Sequence, residues 1–143
     1  MPSRVVAVDL GTRRIGVAVT DGLGLTAQPL ATIARHGGQR DLDAIAEVVK
    51  RYDAGRVVVG LPLGPEGEVG RAARSVQAFV ERLRGVVAVP IELIDESFTT
   101  VEAEDVLLQA DLSRARRKQV VDRVAAAVIL RRWLDAHAGG ATP

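Results

Sequence analysis

One acid at the end of an apolar strand restricts this chain more than any other feature. Arg4-Val-Val-Ala-Val-Asp9-Leu10 is followed at once by Gly11-Thr12-Arg13-Arg14 and then by Ile15-Gly-Val-Ala-Val19. Two apolar runs joined by a short glycine-containing turn form an antiparallel hairpin. A buried strand gains nothing from a carboxylate unless that group is paired or binds something. Asp9 therefore calls for a metal, a phosphate or an ion pair with Arg13 or Arg14. The returning strand also excludes one large class. A dinucleotide-binding fold needs a helix directly after its first glycine-rich turn, and here a strand follows. Gly64-Pro65-Glu66-Gly67 lacks the Lys-Ser/Thr of a P-loop.

Beyond the hairpin, the pattern alternates strand and helix. Leu25 to Ile33 reads as a third strand, at an edge or bulged because Pro29 interrupts it. Arg40 to Tyr52 is amphipathic at helical spacing, with Leu42, Ile45, Ala46 and Val49 on one face. Arg56 to Leu61 is a short apolar run of the kind buried on both faces. Val69 to Leu83 is a second helix, and Val87 to Ile94 a last strand ending at Asp95-Glu96. A helix capped by Thr99 or Thr100, with Glu102 and Ala103 in its first turn, precedes a final helix from Ser113 to about His137. The order β-β-β-α-β-α-β-α-α predicts an α/β, ribonuclease H-like three-layer fold. Its mixed five-stranded sheet combines an antiparallel meander with parallel strands and carries helices on both faces.

Length and composition fit one domain over residues 1–137, with a mobile tail over 138–143 that has nothing to bury. Cysteine is absent, so thiolate metal sites are excluded, and no apolar run approaches the ~20 residues of a membrane helix. A cytoplasmic protein without membrane contact is the expectation. The formal net charge of +1 hides a segregation along the chain. Glu92 to Asp111 holds seven acids and no base, whereas Ser113 to Arg132 holds seven bases and one acid, Asp122. Such segregation builds either an acidic pocket beside a basic rim or two solvated helix faces that attract each other.

Three acids can converge. Asp9 ends the first strand, Asp95 and Glu96 end the last, and parallel neighbours bring those ends together where such sheets bind ligands. Asp122 shares a helical stripe with Ala125, Ala126, Ile129 and Trp133, which carries one carboxylate inward; the alternative is a pair with Lys118, one turn earlier. Trp133 reads as core. Strand alternation separates Asp95 from Glu96, and the longer arm of Glu96 favours it as the shared ligand, with Asp95 second. Hard oxygen donors without His or Cys select Mg²⁺ or Mn²⁺, and the cluster suits two-metal phosphodiester hydrolysis. Val58 to Gly64 is either a loop over the site or a tight connection, and Gly64 to Gly70, with three glycines, reads as a flexible substrate loop. Arg114, Arg116, Arg117 and Lys118 open the final helix and favour phosphate contact. Arg35, His36 and Arg40 form a weaker second rim. No aromatic platform for base stacking is evident, so recognition is of backbone shape.

Four blocks carry a family resemblance: Asp9 to Asp21, Val58 to Gly64, Asp95-Glu-Ser-Phe-Thr-Thr100, and Lys118 to Leu130. In this order, across Val5 to Leu134, the chain resembles the YqgF (RuvX) family, associated with Holliday junction resolution and with maturation of the 5′ end of pre-16S rRNA. The resemblance implies a nuclease with Asp9, Glu96 and Asp122 as its acidic triad. One departure is visible: Ser97 stands where the family usually has Arg. The resemblance then implies either another base near the acids, with Arg13, Arg14 and Arg123 the candidates, or some loss of activity. Pre-16S rRNA is the favoured substrate. A four-way DNA junction is the alternative, and it demands a homodimer presenting two symmetric sites. An actin- or hexokinase-type ATP lobe and an inert nucleic-acid-binding factor are the remaining rivals.

Overall fold

The computed structural model describes residues 3–96 and 114–138, with residues 114–120 and 138 by their backbone alone. Its elements run β1 (Arg4–Leu10), β2 (Arg14–Thr20), β3 (Ala27–Ala34), α1 (Gln39–Arg51), β4 (Ala54–Leu61), α2 (Arg71–Leu83), β5 (Ile91–Asp95) and α3 (Arg114–Ala138). The strands form one five-stranded sheet in the order β3-β2-β1-β4-β5. The first three make the antiparallel meander; β4 lies parallel to β1, and β5 parallel to β4.

Alternation along the strands divides the apolar side chains into two layers. Val6, Val8 and Leu10 of β1, with Ile15, Val17 and Val19 of β2 and Val57 and Val59 of β4, pack under α1 and α2. Those helices contribute Leu42, Ile45 and Val49, and Val76, Phe79, Val80 and Leu83. Val5, Ala7, Ala18 and Val58 face the other way, against Ala126, Ile129 and Leu130 of α3. The alanines of this second layer, Ala7, Ala18 and Ala126, let α3 lie close to the strands. Because Asp9 follows Val5 and Ala7 at a spacing of two, its side chain belongs to the α3 face.

Several boundaries differ from those the sequence suggests. β5 begins at Ile91, since Pro90 has no N–H for a ladder; its carbonyl instead accepts from the Val57 amide at 3.0 Å. Val87 remains buried, on the approach to the sheet edge. β3 begins at Ala27 because the Asp21 carboxylate takes the amides of Leu25 at 2.8 Å and Thr26 at 3.3 Å, leaving Leu25 in solvent. As expected for Pro29, β3 is an edge strand with an irregularity: its register on β2 jumps from Val17↔Ala31 to Ala18↔Pro29. The helix expected from Thr99 or Thr100, the Ser113 cap, Ser97 and the tail from Gly139 lie outside the described residues.

One buried acid is structural. Asp41, only 2 % exposed in the first turn of α1, accepts hydrogen bonds from the amides of His36 at 2.9 Å and Gly37 at 2.8 Å. It thereby fixes a turn whose two glycines, Gly37 and Gly38, both have positive φ. Asp41→Ala removes the carboxylate acceptor of two part-buried amides and is expected to cost about 1–3 kcal/mol in urea unfolding. A loss under ~0.5 kcal/mol would show that water replaces the carboxylate freely.

Candidate active site

The site lies at the C-terminal ends of the parallel strands. Asp9 pairs across β2 with Gly16, and Val8 pairs with Val59, so Gly60 comes next in line on β4. Asp9 is thus flanked by glycines on both neighbouring strands, and both clear space on the α3 face. A Cβ added to Gly16 would overlap the backbone carbonyl of Asp122. One added to Gly60 would lie 2.7 Å from Glu96 Oε2 and 2.7 Å from Ile129 Cδ1. The missing side chains let α3 bring Asp122 down beside Asp9 from one direction and let Glu96 reach across from the other.

Alternation also separates the two acids after β5. Leu93 packs toward α1 and α2, while Ile94 packs against α3. Glu92 likewise faces α3, where its Oε2 accepts from Trp133 Nε1 at 2.8 Å. Continuing the alternation sends Asp95 away and Glu96 to the α3 face. The Glu96 amide is held by the Leu61 carbonyl at 3.2 Å, which anchors it to the end of β4. Its carboxyl then meets that of Asp9 in a hydrogen bond.

The electrostatics follow from this crowding. Burial raises the Asp9 pKa, the hydrogen bond with Glu96 lowers it, and the charge of Asp122 raises it again. Glu96 is pushed up to about 9, first by burial, then by its hydrogen bond with Asp9 and the charges of Asp9 and Asp95, with Arg132 pulling the other way. Burial and mutual proximity thus raise the pKa of both carboxyls of the pair above the ordinary carboxylate range. Asp122 completes the arrangement at a slight remove: its Oδ2 accepts from Arg14 Nε at 2.6 Å. As the side chains stand, no three His, Asp or Glu groups among the described residues close into an ion-holding cluster.

The expected residues are distributed as follows. Arg14, a candidate nucleic-acid contact and a candidate partner of Asp9, holds Asp122. Arg13 is exposed on the hairpin turn, and Arg123 is partly buried beside Asp122. Arg114, Arg116, Arg117 and Lys118 occupy the opening turns of α3, but their side chains lie outside the described residues. Arg35 braces the turn rather than forming a free rim, since its Nη1 donates to Gly11 O at 2.6 Å and its amide to Arg13 O at 2.9 Å. Trp133, expected in the core, sits at the core's edge because its indole N–H needs Glu92; it also stacks on His137, with ring centroids 4.0 Å apart. The Gly64–Gly70 loop is bridged by its own hydrogen bonds. Glu68 folds back, its carbonyl accepting from Gly64 N and its carboxylate from Glu66 N, both at 2.9 Å. Arg132, which also donates to the Asp95 carbonyl at 3.4 Å, was not legible as a neighbour of Glu96, because no local spacing reports a contact across 37 residues.

Comparison with known proteins agrees with this geometry. The profile of the RuvX family, described as Holliday junction resolvase, matches residues 3–136. A protein of Myxococcus xanthus (strain DK1622) is 48% identical over 134 residues, covering 94% of this chain and 89% of the relative. One of Moorella thermoacetica (strain ATCC 39073 / JCM 9320) is 49% identical over 132 residues, covering 92% and 94%. Both carry the provisional description of a pre-16S rRNA nuclease. Among solved structures, the fold is similar to T. thermophilus RuvC in complex with Holliday junction substrate, with a TM-score of 0.58, 19% identity, and 96% and 97% of the chains covered. It is also similar to the Fowlpox virus resolvase in complex with junction DNA, with a TM-score of 0.60, 12% identity, and 94% and 98% covered. Sheet order, crossing helix and relatives together define a phosphodiester-hydrolysing enzyme of the ribonuclease H-like class. Within that class, the chain belongs to the RuvX family.

No helix among the described residues is long and apolar enough to cross a membrane.

Proposed function

We propose that this chain is a divalent-metal-dependent endonuclease that processes the 5′ end of pre-16S rRNA in the cytoplasm, with Asp9, Glu96 and Asp122 as its working carboxylates. The observation that carries the proposal is the convergence of the Asp9 and Glu96 carboxyls on the face that Asp122 approaches, in the space cleared by Gly16 and Gly60. Crowded buried acids are costly without a cation, and a structural role for them would be better served by neutral residues. The donor set fits a hard ion, being all oxygen, and suits Mg²⁺ or Mn²⁺. When bound, a divalent ion supplies the charge that activates an attacking water and steadies the leaving oxygen. Asp9 and Glu96 supply the fixed ligands from rigid strand ends. Exposed Arg13, with Arg123 and the bases Arg114, Arg116, Arg117 and Lys118, supplies contacts to the phosphate backbone. The rRNA substrate is supported by the relatives' descriptions.

A second substrate, the four-way DNA junction, is favoured by the family description and would require a homodimer. Labelled precursor 16S leader, linear DNA and a four-way junction, each with Mg²⁺ or Mn²⁺, separate the two. Cleavage of the leader near the mature 5′ end, abolished by EDTA and in Asp9→Asn, is the expected result. Cutting of the junction alone moves the substrate to DNA. Equal activity of Asp9→Asn on any substrate removes the carboxylate assignment.

A further inference from the structure

The Arg14–Asp122 pair joins residues 108 apart in sequence at 2.6 Å, beside the carboxylates. Its placement follows from strand geometry. Arg14, Gly16 and Ala18 share one face of β2, and Ala18 packs against α3. The absent side chain of Gly16 lets the backbone of Asp122 rest on the strand, two residues from Arg14. Asp122 is then within reach of two competing attractions. Its negative charge already acts on Asp9, while its Oδ2 is taken by Arg14. The Asp122 side chain is 20% exposed and that of Arg14 is 49% exposed, so the guanidinium stands at the mouth of the site rather than in its floor.

We propose that Arg14 is a positioning residue that stands in for the cation: it holds Asp122 in a resting position, competes with the divalent ion for that carboxylate, and is released toward the substrate's phosphate when the ion enters. This inference rests on the metal assignment proposed above. Asp122, turning inward from Arg14, would be the third carboxylate for an ion held by Asp9 and Glu96. Arg14 thereby loses its acid at the place where a phosphodiester must approach. The planar fork of the freed guanidinium matches phosphate geometry. Ion binding and phosphate binding become linked through one side chain, so each favours the other.

Two binding measurements on the full chain test this. In Arg14→Gln, the Mn²⁺ Kd measured by titration calorimetry is expected to tighten about threefold to fivefold, the range of a half-exposed ion pair. Non-cleaved leader RNA is then titrated with and without Ca²⁺. Ca²⁺ is expected to strengthen RNA binding to the wild type more than to Arg14→Gln. Arg14→Lys keeps the charge without the planar fork and is expected to fall between the two, and circular dichroism checks each fold. A Kd for Mn²⁺ that is unchanged or weaker in Arg14→Gln overturns the inference, as does equal enhancement by Ca²⁺ in both proteins. Wild type and Asp9→Asn that both fail to bind Mn²⁺ overturn the metal assignment itself, and the inference with it.

Discussion

Glu96→Gln is expected to lose cleavage by on the order of 10³-fold and yet, without metal, to be more stable than the wild type at alkaline pH. The two effects share one cause. Glu96 is driven from an ordinary 4.5 to about 9 by burial and by Asp9 beside it. An acid whose pKa is higher in the folded state binds its proton more tightly there, so the folded state is not penalised below the unfolded value. As pH rises from about 4.5 toward 9, the unfolded chain ionises freely while the folded chain must hold the proton or bury a second charge. Stability of the metal-free wild type therefore falls across that window. Glutamine is neutral throughout and escapes the penalty. A divalent ion should cancel it by a different route, binding the deprotonated pair and stabilising the folded state by mass action. Thermal unfolding at pH 5, 7 and 9, with and without Mg²⁺, reads all of this. The wild type should lose Tm with rising pH in the absence of Mg²⁺ and keep it in its presence, and Glu96→Gln should lose less with pH and respond less to the ion, since Asp9 remains. Parallel curves for the two proteins would mean that Glu96 is not the strained acid.

Much of this arrangement was legible in the residues because it is local. Alternation from Val5 to Asp9, the glycine turn and the returning strand specify the hairpin and put one carboxylate at a strand end. The helical stripe from Asp122 to Ile129 places a second acid on the helix face that packs on the sheet. Boundaries were less legible. The apolar run at residues 86–89 looks like a strand, and only the position of Pro90 relative to β4 shows why pairing starts later. Leu25 looks like strand until Asp21 takes its amide. Long-range partners were not legible at all. Nothing near Arg14 announces an acid 108 residues away, and nothing near Trp133 announces Glu92, 41 residues earlier. The glycines were visible, but their purpose depends on what crosses above them, which only the packed structure shows.

Gly16→Ala is expected to be the most damaging glycine-to-alanine change among the described residues. Glycine in a strand interior is ordinarily a weakness that alanine repairs, by roughly 0.5–1 kcal/mol. At Gly16 the new methyl would overlap the carbonyl of Asp122 and come within 3.0 Å of Arg123 N. Those are backbone atoms of a helix packed on β1, β2 and β3, so no rotamer relieves the clash. Either α3 lifts from the sheet or the strand buckles, and each uncovers Ala126, Ile129 and Leu130. A cost of about 3 kcal/mol, at the upper end for an overpacked site, corresponds to roughly 10 °C in Tm. Activity should vanish even in the folded fraction, because Asp122 moves with its helix. Gly60→Ala makes the contrast. Its methyl would meet Glu96 Oε2 and Ile129 Cδ1, the far ends of flexible side chains, and come within 3.0 Å of Glu96 Cβ, side-chain rather than backbone atoms throughout. The fold should give by about 1 kcal/mol, while the displaced Glu96 loses about 10²-fold in rate. Chemical unfolding beside initial rates distinguishes the two: Gly16→Ala fails chiefly in stability, Gly60→Ala chiefly in catalysis. If Gly16→Ala unfolds with the wild-type midpoint, α3 does not rest on β2 as closely as the carbonyl contact requires.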